Sequence, residues 1–173
     1  GEVIGIVPSP QWKWKVKNEA WFLGNTYHMA IGQGDLTTTP LQVNTMTSVI
    51  ANGGKLCKPY MVTGSKCEDV GIKKETIDEI KKGMIAACTE GGTAFPFFEI
   101  NSHLKGDKKV ACKTGTAETD EKDKTHAWFT AFYPADFSEI VITVLVEKGG
   151  EGSSVAAPIA KEIYDYWTAN YPN

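Results

Sequence analysis

The sequence has 173 residues, 42% of them hydrophobic and 23% charged, with a formal net charge of −3. That length fits one domain able to bury roughly 70% of its unfolded surface, and the mild acidity argues against non-specific binding to nucleic acid or an anionic membrane. No apolar run approaches the ~18 residues of a membrane span and no signal peptide is recognisable, while the start at Gly1-Glu2 suggests a processed or excised piece with room for an anchor or domain upstream.

Residues 1–38 are rich in Gly, Pro and Trp and show little periodicity. "GIVPSPQWKWK" reads as an extended loop with aromatic anchors, so 1–38 is expected to be a long irregular segment. Trp12, Trp14 and Trp21 alternate with lysines like a base-stacking platform, but the net acidity speaks against a nucleic-acid partner. A helix then opens at Thr39, an N-cap, with Pro40 at the first helical position and Gln42 completing a capping box. Val43, Met46, Val49 and Ile50 form its apolar face, and Asn52-Gly53-Gly54 ends it. "KLCKPYMV" follows as a short strand. A second helix spans about 74–89, with Ile77, Ile80, Met84 and Cys88 at helical spacing and Gly91-Gly92 as the stop.

Three strands are predicted next, over 109–117, 125–133 and 139–147. "IVITVLV" in the last is almost wholly β-branched or apolar, which predicts a central strand covered on both faces. A final helix over about 154–169 places Val155, Ile159, Ile163 and Tyr166 on one stripe. Helices followed by strands and a closing helix give an α+β fold, a mainly antiparallel sheet with packed helices.

Few motifs carry chemistry on their own. Cys57, Cys67, Cys88 and Cys112 form no CxxC pair and do not cluster with His28, His103 or His126, so no metal site is expected. Cys57 and Cys67 flank a possible hairpin and would pair in an oxidising compartment, but free thiols are the simpler reading of all four. "EKGGEGSS" lies between a strand and a helix, yet Val155 stands where a dinucleotide fingerprint needs its third glycine, so a turn is the better account and no cofactor is implied. By composition Gly91-Gly92-Thr93 resembles a phosphate loop, and its glycines stop the helix before it. In "CKTGTAE", strand alternation puts Thr114 and Thr116 on one face and Lys113 on the other, and Gly115 permits close backbone approach. A lysine with threonine hydroxyls suits a carboxylate, and an open strand edge suits an extended peptide. Alone, K-T-G is a weak signal and a plain solvated strand explains it as well.

Its neighbours change that balance. "GNTYHMAIGQGDLTTTPLQ", "ANGG", "GGTA", "KTGTAE", "HAWFTAFYPAD" and "GGEGSSVAAPIAKEI" occur in the order that resembles class B penicillin-binding proteins, most closely the type-2, cell-elongation members. K-T-G is the third signature of these serine acyl-transferases, beside S-x-x-K and S-x-N. The resemblance implies the penicillin-binding, β-lactamase-like serine transpeptidase fold and, for the parent protein, a D,D-transpeptidase that cross-links peptidoglycan stem peptides ending in D-Ala-D-Ala and binds β-lactams. It implies catalytic roles for Lys113, in proton transfer, and for the Thr116 backbone N–H, in an oxyanion hole. It implies substrate-binding roles for Lys113, Thr114, Gly115 and Thr116. It also implies an extracytoplasmic location beneath an upstream membrane anchor.

Two signatures lack a convincing match. Ser102-His103-Leu104-Lys105 fits S-x-x-K by letters, but it stands in a polar segment just before the K-T-G strand and reads as loop. Tyr171-Pro172-Asn173 fits only a Y-x-N variant, at the C-terminus. The expectation is that 1–173 is the C-terminal half of a transpeptidase domain, inactive alone, with apolar surface left open and dimerisation or local disorder in 1–38 as a response. Alternatives are a fragment of a serine β-lactamase or D,D-carboxypeptidase, a non-catalytic penicillin-recognition module, or an interaction domain with no ligand. Cys112 departs from the small residue usual before that lysine; packing beneath the strand is the simpler reading, a reactive thiol the sharper one. His126 reads as structural rather than as a proton relay.

Overall fold

The structure, a computed structural model, describes residues 3–61, 64 and 66–171. Val62, at the end of the predicted "KLCKPYMV" strand, and Pro172-Asn173 lie outside them. The chain divides into two compact units, Gly1–Thr39 and Pro40–Asn173.

The first unit corrects the expectation of an irregular segment, because it holds two helices: α1 (Pro10–Lys17) and α2 (Leu23–Ala30). Ser9 caps α1 by accepting the Trp12 N–H at 3.1 Å, Pro10 begins it, and Asn18 closes it at φ +55°. The start signal is the same hydroxyl-then-proline pair that announces the helix at Thr39-Pro40. It is hidden because alternating Trp and Lys give no 3.6-residue periodicity. Two of the lysines that suggested a stacking platform are engaged internally: Lys13 is buried and pairs with Glu19 at 3.2 Å, and Lys17 pairs with Asp35 at 2.5 Å. Ile4, Val7, Phe22, Leu23, Tyr27 and Ile31 are exposed.

The second unit is an α+β layer structure. Helix α3 (Pro40–Ala51) leads to a hairpin of β1 (Lys55–Cys57) and β2 (Cys67–Asp69), in which Cys57 and Cys67 are directly paired and disulfide-bonded. Helices α4 (Lys74–Ala87) and α5 (Phe98–His103) precede an antiparallel sheet of β3 (Ala111–Glu118), β4 (Thr125–Tyr133) and β5 (Ile140–Val146). A π-helical turn (Gly152–Ala156) opens the last helix, α6 (Ala157–Asn170).

The sheet order is β3-β4-β5, so β4 is central and, among the described residues, β3 and β5 are the edges. The expectation that β5 is central is therefore wrong. The expectation that it is covered on both faces holds, because α3 and α6 both pack on it. A strand covered twice is apolar throughout whether or not it has a second neighbour, and composition cannot separate the two cases.

Apolar periodicity selects only part of the face that each long helix of this unit turns inward: Val49, Ile77 and Cys88 are buried as expected, but polar and small residues join them. On α3, Thr47 is buried and Met46 is exposed. Asn44 donates to Val141 O at 3.3 Å and to Thr143 Oγ1 at 3.2 Å, while Thr130 Oγ1 bonds Thr143 Oγ1 at 2.9 Å and Thr47 Oγ1 at 3.0 Å. Thr47 passes its own proton to Val43 O at 2.8 Å. Each hydroxyl has one proton, so the bonds can run in one direction, Asn44 to Thr143 to Thr130 to Thr47 to the Val43 carbonyl.

On α4, Ile80 is exposed and Lys81 turns inward. Its ammonium donates to Ala51 O at 3.1 Å and Ala135 O at 2.8 Å, where it completes the negative end of α3. On α6, Ile159, Ile163 and Tyr166 are exposed, and Ala157, Ala160 and Tyr164 face the core. Two alanines bring α6 close to the sheet, with the Tyr164 ring set edge-on to Tyr133 and Phe97.

Candidate active-site strand

Strand β3 enters the sheet through a buried clamp. Asn101, 1% exposed, donates from Nδ2 to Val110 O at 2.9 Å and accepts the Val110 N–H on Oδ1 at 2.8 Å. One amide thus satisfies both backbone groups of Val110, as a neighbouring strand would. Two residues on, Cys112 is disulfide-bonded to Cys88 at the end of α4, and both are fully buried. This overturns the free-thiol reading: all four cysteines are paired. Cys112 does pack beneath the strand, as oxidised sulfur rather than as a reactive thiol.

Beyond Cys112 the strand opens outward, with Lys113 and Thr116 exposed and Thr114 half-buried. Lys113 lies opposite Thr130, on the sheet face where Thr130 meets α3, whereas Thr114 lies opposite Phe129, on the face that meets α6. The Lys113 ammonium bends back to the Thr114 carbonyl at 2.5 Å, which puts that carbonyl on the outer edge of the ladder. Backbone groups alternate along an antiparallel pair, so Thr116 turns its N–H to the same edge. The Thr114 hydroxyl meets that of Thr93 at 2.8 Å. Thr93 sits in the Gly91-Gly92 turn.

Gly115 is opposite Trp128, and a Cβ added to it would stand 3.1 Å from the Trp128 Cβ. From the "EKGGEGSS" loop, Gly152 comes so close that a Cβ on it would meet Trp128 O at 2.1 Å and Gly115 O at 2.5 Å. The glycines of that loop therefore serve packing: Gly152 lets the loop lie on the strand pair, and Gly150 N bonds Thr125 O at 3.0 Å. His126 is also structural, since its Nδ1 accepts the Lys148 N–H at 3.1 Å. Ser102 closes α5, its hydroxyl donating to Glu99 O at 2.7 Å.

Among the described residues no group of His, Cys, Asp or Glu could hold a metal ion. A cleft of about 1050 Å³ between α3, α4 and the turn after β4 is lined by Lys81, Asp136, Phe137 and Ser138, and none of Lys113, Thr114, Gly115 or Thr116 borders it. A strand edge with one wall makes no concavity, so the chemistry of β3 weighs more than the size of that cleft.

A lysine, a hydroxyl pair and edge amides on an open strand are what an acyl-transfer site presents to a peptide, and the comparisons with known proteins bear on that. The penicillin-binding protein transpeptidase domain family matches residues 4–165. The chain belongs to that family. It is 33% identical over 96% of its length to the peptidoglycan D,D-transpeptidase MrdA of Haemophilus influenzae, of which it covers 29%. A solved penicillin-binding protein, PBP2 of Helicobacter pylori, superposes with a TM-score of 0.83 at 34% identity, covering 100% of this chain and 32% of that one. Penicillin-binding protein A of Mycobacterium tuberculosis, solved as a penicillin G acyl-enzyme complex, superposes with a TM-score of 0.62 at 26% identity, covering 80% of this chain and 34% of that one. The chain thus has the PBP2/MrdA type of transpeptidase fold and spans about three-tenths of the length of these relatives.

Sequence alone picks out Lys113, Thr114, Gly115 and Thr116, and the structure gathers them on one edge. It also adds Thr93 and Asn101. The first carries a weak signal in the "GGTA" block; the second carries none, because its role depends on a backbone it meets only after folding.

Proposed function

We propose that this chain supplies the K-T-G wall of a peptidoglycan D,D-transpeptidase site. In the reaction, a serine oxygen bonds to the penultimate D-Ala carbonyl of a stem peptide and the terminal D-Ala leaves with a proton. The amine of a second stem peptide then takes the acyl group and the serine regains its proton. The stem peptide lies along the outer edge of β3. Its carboxylate is held by the hydroxyls of Thr114 and Thr116 and by the charge of Lys113. The Thr116 N–H donates to the oxyanion, and Lys113 assists proton transfer to and from the serine. Gly115 keeps the strand narrow between the two threonines. β-Lactams occupy the same edge as mimics of D-Ala-D-Ala.

The observation that carries this reading is the Lys113 ammonium on the outward Thr114 carbonyl, two residues beyond a buried covalent anchor. Two disulfides support an extracytoplasmic location, where thiols are oxidised. The serine belongs to a segment outside this sequence, so the chain alone is inactive, and its exposed apolar side chains favour self-association.

The test is incubation with a fluorescent penicillin. The expected result is no denaturation-resistant label on the isolated chain. A stoichiometric covalent label would place the nucleophile within these 173 residues and overturn the division of the site.

A further inference from the structure

The Thr93–Thr114 hydroxyl pair has a property that neither residue has alone. Two hydroxyls 2.8 Å apart share one proton between them, and the oxygen that accepts keeps its own proton for another partner. A carboxylate only accepts, so beside Thr114 it selects the arrangement in which Thr93 donates to Thr114 and Thr114 donates outward. That arrangement is a directed chain, in which each bond polarises the next. Lys113 is anchored on the carbonyl of the same residue, so charge and hydroxyl both refer to Thr114.

The position of Thr93 is fixed by its surroundings. The Cys88–Cys112 disulfide ties the end of α4 to β3, five residues before Thr93 and two before Thr114. The Ala94 N–H returns to Ala87 O at 2.9 Å, and Ala94 is fully buried. Gly92 passes so near the helix end that a Cβ there would stand 2.4 Å from the carbonyl oxygens of Ala86 and Ala87. A covalent bond, a backbone bond and an obligatory glycine therefore hold one exposed threonine against the K-T-G strand.

We propose that Thr93 is a positioning residue for the substrate carboxylate, acting through Thr114. This rests on the reading of β3 as the substrate strand. Thr93 fixes the direction of the Thr114 O–H, so replacing it leaves Thr114 in place but its hydroxyl free to rotate.

The experiment is an NMR titration of the chain, labelled at threonine methyls and backbone amides, with N-acetyl-D-Ala-D-Ala and with its C-terminal amide, which lacks the carboxylate. The Thr93→Val and Thr93→Ala variants should bind the acid about 3- to 10-fold more weakly, as loss of one hydrogen bond predicts. Thr93→Ser should stay within about 2-fold of the unchanged chain, and binding of the amide should be the same in all four proteins. Equal binding of the acid by the chain and both hydroxyl-free variants would overturn the role of Thr93 while leaving the substrate strand intact. So would an equal loss for acid and amide, which marks a packing role. If the unchanged chain makes no carboxylate-dependent response at Thr114–Thr116, the reading of β3 as the substrate strand falls and takes this proposal with it.

Discussion

The two ends of β3 are held in opposite ways. Val110, Ala111 and Cys112 are at most 1% exposed and are tied by an amide clamp and a disulfide. Lys113 and Thr116, one and four residues later, are exposed, and the contacts of Lys113 and Thr114 described above are polar and made at the edge. The comparison teaches how a flexible kind of element becomes a precise one. An edge strand has one neighbour to hold it, so its register and height depend on whatever grips its stem. Here the grip is concentrated where no substrate can reach, and the chemistry begins immediately after it.

Breaking the stem should have the largest effect. The Cys88→Ala/Cys112→Ala double variant should lose about 3 kcal/mol, as expected for a bridge closing a loop of this length. Urea unfolding gives the loss, and hydrogen exchange should show faster amides over 110–114. Removing Cys57 and Cys67 in the same way should leave those amides unchanged, because that bridge lies in the β1–β2 hairpin. Asn101→Leu keeps the volume and removes the clamp, leaving the Val110 N–H and carbonyl buried and unpaired. Its expected cost is about 2 kcal/mol, read from the same urea midpoints, with no change in disulfide content.

Alkali should attack the covered face behind the strand rather than its open edge. Burial, aided by Tyr133, pushes the Tyr164 phenol well above its ordinary value. The folded state therefore keeps its proton at a pH where the unfolded chain has lost it. The sign follows: stability is intact below pH ~10 and falls as pH rises past it, by at most about 1.4 kcal/mol per pH unit for one proton. Tyrosinate absorbance should show one ring titrating late, together with unfolding, and Tyr164→Phe should remove that late step.

Much of this layout is legible in the sequence, and what is not has a common cause. Thr125–Tyr133 is predicted to the residue, and the K-T-G strand and all three long helices of the second unit fall within a few residues of their observed bounds. The helix faces are legible only in part: Val49, Ile77 and Cys88 are buried as expected. Apolar periodicity selects Met46, Ile80 and Ile159, whereas Thr47, Lys81 and Ala160 face inward. Thr47 is buried because a hydroxyl on β4 satisfies it, Lys81 because two carbonyls do, and Ala160 because closeness matters there more than size. Each reason lies in a partner distant in sequence. The Cys88–Cys112 disulfide is hidden for the same reason, since the two share no motif and meet only when α4 reaches the start of β3, whereas the flanks of a possible hairpin already suggested Cys57–Cys67 as one reading. Lys113 and Thr114 are legible because their chemistry is local, within one short run of strand.

The smallest effect should come from the open end, and it decides whether the contrast between the two ends is real. Thr114→Ala removes the Thr93 bond and a half-buried methyl, but it unpairs no buried group, because Thr93 remains exposed to water. Its expected cost to stability is about 0.5 kcal/mol or less, several-fold below that of Asn101→Leu although the two sites lie on or beside one strand. In the dipeptide titration the order should reverse: Thr114→Ala weakens the acid selectively and leaves the amide unchanged, while Asn101→Leu weakens acid and amide alike. If Thr114→Ala instead costs as much stability as Asn101→Leu, the hydroxyl pair is part of the stem and β3 is anchored along its whole length. A strand held throughout would have its edge set by the fold alone, and the polar groups on it would owe their positions to packing rather than to a ligand.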